Sequence, residues 1–343
     1  MNEFDFIKRI KNKTRMHGDF SQVVQGIGDD AAVIKPTSGR QLVVSADLLI
    51  EGIDFLRSAT SARLLGRKSL AVSLSDVAAM GAKPRWALLS LGVTEDVWGT
   101  EFIDQLYEGV FELADKYGVT LVGGDTSRTP DKIVVDSIVL GECKEGAVIS
   151  RTGAKPGDQI FVTGTLGASG AGLRLSNRGA RITPVQETES EQRAIDAVLM
   201  RHLSPEPRVG WGMVLGQEKL ASSMIDLSDG LSSDLHHICE DSNTGALIRA
   251  LDLPIDPAVV ELCGRRALDP LQLALHGGED FELLFTTSPA NASRLPKRVD
   301  GVTVTCIGTI EASDQGVRLE EGLRIWPLEA GGYEHFAARA KTV

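Results

Sequence analysis

Four short stretches of the chain place a carboxylate beside glycine or serine in what reads as a tight turn. They are residues 26–30 (GIGDD), 123–126 (GGDT), 226–230 (DLSDG) and 277–280 (GGED). Glycine lets the backbone turn sharply and approach a ligand closely. Aspartate supplies the hard oxygen that Mg²⁺ prefers and that this ion usually shares with substrate phosphates. If the four turns converge in the fold, we expect them to form a multi-metal site for phosphate chemistry.

The length and charge of the chain limit the classes of function. A chain of 343 residues suits two domains of ordinary size. The 36 basic and 47 acidic residues give a net charge of −11, which argues against nucleic acid as a partner because nucleic-acid binding needs a basic face. An acidic chain suits the binding of cations, although acidic charge also serves solubility alone.

The sequence also predicts a cytoplasmic protein without a membrane segment. No apolar run approaches the roughly 20 residues that a membrane helix needs. The first five residues (MNEFD) do not start a basic region followed by an apolar stretch, so a signal peptide is not expected. The cysteines are Cys143, Cys239, Cys263 and Cys306. None of them forms a CxxC pair, so a zinc knuckle is not expected, and buried thiols in a reducing compartment are favoured.

Hydrophobic patterns alternate between helix and strand along the whole chain, which predicts an α/β or α+β fold. Residues 23–50 contain two β-rich segments, the second ending at Asp47. Further strands are predicted at 85–93, 119–122, 132–142, 159–163, 222–226, 281–287 and 302–310, and helices at 61–81, 99–117, 189–201, 207–219 and 230–242. Loop composition at 150–158 predicts a boundary between domains 1–149 and 150–343.

Ser69, Ser73 and Asp76 share one face of the predicted helix 61–81. Serines and an aspartate inside an otherwise apolar pattern indicate that this face meets a polar site. The alternative is that Asp76 caps a turn or points to solvent, and the pattern alone does not separate the two.

Other catalytic motifs are absent or weak. The glycine-rich segment 164–172 lacks the Gly-Lys-Ser/Thr of a P-loop, and close packing of a helix on a strand explains its glycines as well as a dinucleotide does. No protein-kinase signature set and no Gly-x-Ser-x-Gly elbow occurs. His236 and His237 are adjacent on a predicted helix and so face different ways, which favours surface histidines over catalytic ones.

The aspartates therefore carry the functional prediction. Each one alone is explained by helix capping or turn formation. Several of them, however, follow short apolar strands, and strand ends are where α/β sheets place ligands. Carboxylates brought together repel one another, so such a cluster normally needs bound cations.

Seven stretches, in order along the chain, resemble motifs of the thiamine-monophosphate kinase family. They are 26–32 (GIGDDAA), 73–81 (SLSDVAAMG), 123–126 (GGDT), 151–158 (RTGAKPGD), 225–231 (IDLSDGL), 277–283 (GGEDFEL) and 332–336 (GYEHF). The resemblance implies the two-domain fold of the aminoimidazole ribonucleotide synthetase-like superfamily, with an ATP- and Mg²⁺-binding N-terminal domain and a C-terminal α/β domain. It also implies a homodimer in which N-terminal strands of two subunits meet, with ATP near that interface.

The resemblance further implies roles for single residues in the transfer of phosphate from ATP to thiamine monophosphate. Positions of the family's magnesium site are matched by Asp30, Ser45, Asp47, Asp76, Asp125, Asp226 and Asp229. Positions implied to contact ATP are Tyr107, Gly123, Gly124, Arg151 and Ser228. Positions implied to contact thiamine phosphate are Asp54, Glu279 and Tyr333. Asp125 and Arg151 are the residues expected to act on the transferring phosphate.

Two positions depart from the family pattern. Ala46 stands where threonine is frequent, so a side-chain oxygen cannot come from that position. Asp54 stands where histidine is frequent, and its carboxylate would favour a cationic thiazolium but repel a phosphate.

The chemistry fits the lack of a placed histidine. The acceptor implied by the resemblance would be a phosphate monoester with a second pKa of about 6, so it would be largely a dianion near neutral pH and would need no general base. We expect direct in-line transfer that depends on positioning and on charge neutralisation. The alternatives are another ATP-dependent enzyme of the superfamily and a non-catalytic protein that binds nucleotide or Mg²⁺.

Overall fold

The computed structural model describes residues 3–27, 32–182 and 190–333. Contacts divide the chain into two units: Met1–Ser150 with Leu203–Ala221, and Arg151–His202 with Ser222–Val343. The return of Leu203–Ala221 to the first unit has a packing reason. The helix in this segment lies so close to an earlier helix that a Cβ on Gly212 would meet the Ala78 carbonyl oxygen at 2.1 Å. The separate roles given to 1–149 and 150–343 stay a prediction.

The first half of the chain supplies most of the first unit. Its elements are α1 (Glu3–Thr14), β1 (Val23–Gln25), β2 (Val33–Ile34), β3 (Arg40–Ile50), α2 (Ala62–Ala79), β4 (Lys83–Val93), α3 (Glu101–Tyr117), β5 (Thr120–Gly123), β6 (Thr126–Arg128) and β7 (Val134–Lys144). The larger sheet has the order β3-β7-β4-β5, with β6 also paired to β4. Strands β3, β7 and β4 run antiparallel, whereas β5 and β6 run parallel to β4.

The elements of the second half follow the same alternation. They are β8 (Gln159–Thr163), α4 (Ala168–Asn177), α5 (Ser190–Leu203), α6 (Val209–Gln217), β9 (Ser223–Asp226), α7 (Leu231–Ser242), β10 (Thr244–Arg249), α8 (Pro257–Arg266), α9 (Pro270–His276), β11 (Leu283–Thr287), α10 (Pro289–Ala292), β12 (Arg298–Val299), β13 (Val302–Ala312), β14 (Val317–Glu321) and β15 (Arg324–Pro327). Helix α6 belongs to the first unit. The sheet of the second unit has the order β15-β14-β10-β13-β8-β11-β9, and β12 pairs with β13.

Helix α2 is the buried helix of the first unit. Its N-cap Ser61 accepts a hydrogen bond from the Leu64 N–H, and Gly81 follows its end with a φ of 70°. Leu70 and Leu74 are fully buried, and burial of each such side chain contributes about 1.5–3 kcal/mol. The helix approaches α3 so closely that a Cβ on Gly66 would lie 1.9 Å from the Leu106 carbonyl oxygen.

Strand β3 lies at one edge of the first sheet and exposes apolar side chains on one face. Alternate residues of a strand point to opposite faces, and Leu42, Val44 and Leu48 are 46%, 60% and 52% exposed. Val44 pairs with the half-buried Leu140 of β7, so the apolar surface continues onto the next strand. We call Leu42, Val44 and Leu48 the open face of β3.

The core of the second unit lies between its sheet and the helices that follow the strands. Ile160, Val162, Leu235 and Leu284 belong to one continuous buried cluster. The Phe161 and Phe285 rings also stack across neighbouring strands, with their centroids 5.5 Å apart.

The mixed α/β prediction is confirmed, and the predicted helices and strands are present with ends that differ by a few residues. The predicted end of the second strand at Asp47 is wrong: β3 continues to Ile50 because Asp47 pairs with Ser137 and the ladder extends to Val134. Helices α1, α4, α8, α9 and α10 and strands β6, β10, β12, β14 and β15 were not predicted from the sequence. None of the described helices is long and apolar enough to cross a membrane.

The contact between α2 and α3 gives a stability prediction. Gly66→Ala should lower the free energy of unfolding by about 1–3 kcal/mol, because the new methyl group overpacks a contact with backbone that cannot move aside. The measurement is urea unfolding followed by circular dichroism. Gly264→Ala in α8 is the matched control, since a Cβ there meets nothing within 4 Å and alanine favours helix. Equal unfolding midpoints for the two variants would contradict the prediction.

Candidate functional site

Ser45, Asp47, Ser73 and Asp76, which we call the first acidic cluster, meet where β3 passes α2. Ser73 donates a hydrogen bond to Asp47 Oδ2 at 2.7 Å. Ser45 donates to Asp76 Oδ2 in a short contact. The sheet and the helix thus bring together three of the predicted metal ligands, Ser45, Asp47 and Asp76. The prediction that this face of α2 meets polar groups is confirmed.

The carboxylates of this cluster destabilise each other's charge. The pKa of Asp47 is raised from 3.8 to about 6, first by burial and then by the negative charges of Asp76 and Asp136, while the Ser73 hydrogen bond opposes the shift. A cation placed among these oxygens would offset both effects.

Buried serines beneath the cluster fix its geometry. Ser73 Oγ lies 2.7 Å from Ser137 Oγ and 3.0 Å from the Ser137 carbonyl oxygen. Ser137 Oγ donates to the Ser69 carbonyl oxygen at 2.6 Å. The hydroxyl that holds Asp47 is therefore held in turn by β7 and by the preceding turn of α2.

Asp125 stands on an exposed turn after β5. Gly124 has a φ of 149°, and a Cβ there would lie 1.9 Å from the Leu89 carbonyl oxygen, so only glycine fits. Asp125 Oδ1 accepts a hydrogen bond from the Thr126 N–H at 2.8 Å. The predicted turn is confirmed, and it leaves the Asp125 carboxylate exposed.

Two other predicted residues of the first unit, Tyr107 and Asp54, have different surroundings. Tyr107 is 4% exposed and its ring lies 6.0 Å from that of Phe111, so burial raises the pKa of its hydroxyl. Asp54 Oδ2 accepts a hydrogen bond from the Ile50 N–H at 2.8 Å, which is a local turn contact. Asp30 lies outside the described residues. The contacts of Tyr107 with ATP and of Asp54 with substrate stay predictions.

In the second unit, backbone hydrogen bonds join three segments that carry predicted site residues. The Glu279 N–H donates to the Ser228 carbonyl oxygen at 2.8 Å, and the Tyr333 N–H donates to the Asp229 carbonyl oxygen at 3.1 Å. A Cβ on Gly332 would meet the Asp229 carbonyl oxygen at 2.3 Å, so glycine permits the close approach. The turn after β9, the turn before β11 and the segment before Tyr333 therefore form one surface.

This surface holds a second acidic cluster, which we define as Asp226, Asp229 and Asp234. Asp226 and Asp234 are 4% and 1% exposed. The pKa of Asp234 is raised to about 8, first by burial and then by the charges of Asp226 and Asp229. Its Oδ2 accepts a hydrogen bond from the Gly230 N–H at 3.0 Å, which fixes the turn that carries Asp229.

Asp234 and His237 were not predicted as site residues. Atoms of Asp229, Asp234 and His237 able to bind a metal all lie within 4.8 Å of one another. Residues three apart on a helix share a face, so the spacing of Asp234 and His237 along α7 was a usable signal. His237 is exposed, as the sequence predicts, and its distance to Asp229 depends on the fold.

Asp280 explains the glycine-rich segment after β8. Its carboxylate is 3% exposed and accepts hydrogen bonds from the N–H groups of Gly167, at 2.6 Å, and Ser169, at 3.0 Å. These N–H groups belong to the start of α4, where a helix favours a negative charge. A side chain of the protein therefore takes the position that a dinucleotide phosphate would need.

Arg151 is exposed at the start of the second unit, where its carbonyl oxygen accepts a hydrogen bond from Ser242 Oγ at 3.2 Å. Tyr333 is 52% exposed. Both side chains are open to a ligand.

Two family models match the chain. AIR synthase related protein, N-terminal domain, matches residues 28–143, and AIR synthase related protein, C-terminal domain, matches residues 155–320. Thiamine-monophosphate kinase from Escherichia coli (strain K12) is 38% identical over 98% of this chain and 98% of its own length. The enzyme of the same name from Bacillus subtilis (strain 168) is 38% identical over 98% of this chain and 100% of its own.

The chain belongs to the thiamine-monophosphate kinase family. The resemblance found in the sequence motifs is thereby confirmed, and so is the two-domain α/β fold.

Solved structures of thiamine-monophosphate kinases agree in fold. The crystal structure from Stenotrophomonas maltophilia K279a matches with a TM-score of 0.80 and 38% identity, covering 93% of this chain and 97% of that one. A relative complexed with AMPPCP and TMP matches with a TM-score of 0.76 and 32% identity, covering 97% of both chains. The hydrogenase maturation protein HypE, at 20% identity, shares the fold.

The first acidic cluster predicts how the stability of the metal-free thiamine-monophosphate kinase fold changes with pH. Asp47 has its ordinary pKa of 3.8 in the unfolded chain and about 6 in the fold, so the unfolded chain loses its proton first as the pH rises. Stability should therefore fall between about pH 4 and pH 6 and stay lower above pH 6. Asp47→Asn should remove this loss and, at pH 8, unfold at a higher temperature than the metal-free wild type.

Thermal unfolding in EDTA at pH 4, 6 and 8 is the measurement. Asp314→Asn, at an exposed carboxylate far along the sequence, is the control and should follow the wild type. A metal-free Asp47→Asn protein that is less stable than the wild type at pH 8 would show that charge repulsion at Asp47 is not the dominant effect.

Proposed function

We propose that this protein transfers the γ-phosphoryl group of ATP to the phosphate of thiamine monophosphate, giving thiamine diphosphate and ADP. The observation that carries the proposal is the first acidic cluster, where burial and mutual repulsion raise the pKa of Asp47 in a chain of the thiamine-monophosphate kinase family. Support for the two substrates comes from the relative solved with AMPPCP and TMP.

The donor atoms of both acidic clusters fit Mg²⁺, which takes carboxylate and hydroxyl oxygens and keeps several of its waters. Bound Mg²⁺ would neutralise charge on the phosphates. In the first unit the proposed ligands are Asp30, Ser45, Asp47, Asp76 and Asp125. In the second unit they are Asp226 and Asp229.

The remaining chemistry consists of positioning. The acceptor phosphate is already largely a dianion near neutral pH, since its second pKa is about 6, so the chain does not have to remove a proton from it. We propose direct in-line transfer, and a competent phosphorylated form of the protein would contradict it. The exposed Arg151 would stabilise the transferring charge with its planar fork of N–H donors.

Other residues would bind the two substrates. Tyr107, Gly123, Gly124, Arg151 and Ser228 are the proposed contacts of ATP. Glu279 and Tyr333 are the stronger proposals for thiamine phosphate, because both side chains are partly open and their loops are bonded to the turn of Ser228 and Asp229. The Tyr333 ring would pack on the cationic thiazolium. Asp54, whose carboxylate is held by its own turn, is the weaker one.

We also propose that the protein is a homodimer and that the open face of β3 packs on a second copy of the chain. An edge strand that exposes Leu42, Val44 and Leu48 at 40–60% would leave a continuous apolar surface in water. Association of two such faces buries the apolar area and protects the strand edge.

The direct test of the function is an ADP-release assay with ATP, Mg²⁺ and thiamine monophosphate, with identification of the product by chromatography. We expect thiamine diphosphate in equal amount to ADP. An aminoimidazole precursor is the comparison substrate, because other enzymes of the superfamily activate such compounds. ATP binding without transfer to thiamine monophosphate would contradict the proposal and favour a nucleotide-binding protein.

Asp76→Asn should lower turnover about 100-fold or more and leave the fold intact. The reason is that a neutral amide holds Mg²⁺ poorly, and metal stabilisation of transferring charge is worth several kcal/mol. The measurement is the same assay at saturating substrates, with circular dichroism as the check on folding. The matched control is Asp314→Asn, which should keep wild-type turnover. Near-normal turnover of Asp76→Asn with Mg²⁺ would remove Asp76 from the proposed ligands.

Val44→Lys should convert the homodimer into a monomer, because a charge at the centre of the open face of β3 is costly to bury. Light scattering coupled to gel filtration measures the mass. Leu323→Lys is the control, since Leu323 is the most exposed of the large apolar residues described and lies in the second unit, away from β3. The proposed interface is wrong if the Val44→Lys protein keeps the mass of two chains.

A further inference from the structure

The turn that carries Glu279 is fastened on both sides. The neighbouring Asp280 carboxylate is buried against the N–H groups of Gly167 and Ser169 at the start of α4. The Glu279 N–H donates to the Ser228 carbonyl oxygen at 2.8 Å. These hydrogen bonds therefore restrict the backbone conformation of Glu279 and the direction in which its side chain leaves the turn.

Glu279 adopts a backbone conformation that its residue type disfavours. Its φ is 62°, and that of Phe281 is 49°. Left-handed conformations of residues other than glycine cost of order 1–3 kcal/mol and persist where the surroundings enforce them, which happens often at functional sites. The buried Asp280 between the two residues provides that enforcement.

The Glu279 side chain contacts a largely buried histidine. His202, near the end of α5, places Nδ1 at 3.0 Å from Glu279 Oε2 and at 3.3 Å from Ser169 Oγ. The His202 side chain is 6% exposed, whereas that of Glu279 is 28% exposed. An ionised carboxylate only accepts hydrogen bonds, so Nδ1 carries the proton in this contact.

We propose that His202 is a positioning residue for the binding of thiamine monophosphate and acts through Glu279. This rests on the proposed function, in which Glu279 contacts the substrate. The His202 N–H fixes Oε2, so the carboxylate of Glu279 would meet the organic cation of the substrate in one fixed orientation. A hydrogen bond from a buried group restricts the carboxylate to one rotamer, so less order has to be created when the substrate binds.

The first test varies both substrates in steady-state kinetics. His202→Leu should raise KM for thiamine monophosphate about tenfold, the order expected for one hydrogen bond to a charged group. It should change KM for ATP less than about twofold, because the ATP contacts lie on other residues. His202→Asn, which can still donate an N–H to Glu279, should recover part of the loss. Urea unfolding shows whether each variant is folded.

The second test is a double-mutant cycle with Glu279→Gln, which separates a positioning role from general damage. If His202 acts through Glu279, then His202→Leu should change KM for thiamine monophosphate less than about twofold in the Glu279→Gln background. A full tenfold effect in that background overturns the inference, as does an equal rise in KM for ATP.

Two other results would contradict the proposed function rather than the role of His202 alone. A wild-type protein that does not phosphorylate thiamine monophosphate contradicts the proposed function itself. Wild-type activity with an unchanged KM in Glu279→Gln contradicts the substrate contact of Glu279, and the role of His202 falls with it.

Discussion

Repulsion between wholly or partly buried carboxylates is the constraint around which the acidic clusters of both units are organised. The fold carries Asp47 on a strand and Asp76 on a helix, and it holds them beside each other although burial and like charge raise the pKa of Asp47 to about 6. The second unit repeats the arrangement with Asp234, whose pKa is about 8. Helix capping alone does not require these aspartates to lie close together, because each cap needs only one side chain. The proposed binding of cations together with phosphates would explain crowding of this kind.

The surrounding structure is built to withstand that repulsion. Buried serines tie Asp47 to β7, and the close approach of α2 to α3 at Gly66 keeps the helix in place. In the second unit the Gly230 N–H donates to Asp234, and the buried Asp280 anchors the turn of Glu279 to the N–H groups at the start of α4. Hydrogen bonds within the chain therefore hold the proposed site residues, which is an arrangement that catalysis by positioning requires.

Sequence patterns predict the parts of this design that are local. The helical spacing of Ser69, Ser73 and Asp76 indicates a polar face on α2, because helical geometry alone places them together. The turn at Gly124 is likewise visible in the sequence. The roles of Asp280 and His202 could not be predicted, because their partners are distant in sequence. Gly167, whose N–H donates a hydrogen bond to Asp280, lies 113 residues away. The end of β3 was missed because the ladder with β7 outweighs the low strand preference of Asp47.

Proton release on binding of Mg²⁺ tests most directly whether these carboxylates form a cation site. With a pKa of about 6, Asp47 is about half protonated at pH 6 in the metal-free protein, and a bound cation must displace that proton. Calorimetric titration with Mg²⁺ and an ATP analogue at pH 6, repeated in buffers of different ionisation enthalpy, measures the protons released. We expect release by the wild type and clearly less by Asp47→Asn. Equal release by the two proteins, or none by the wild type, would contradict a cation site built on Asp47.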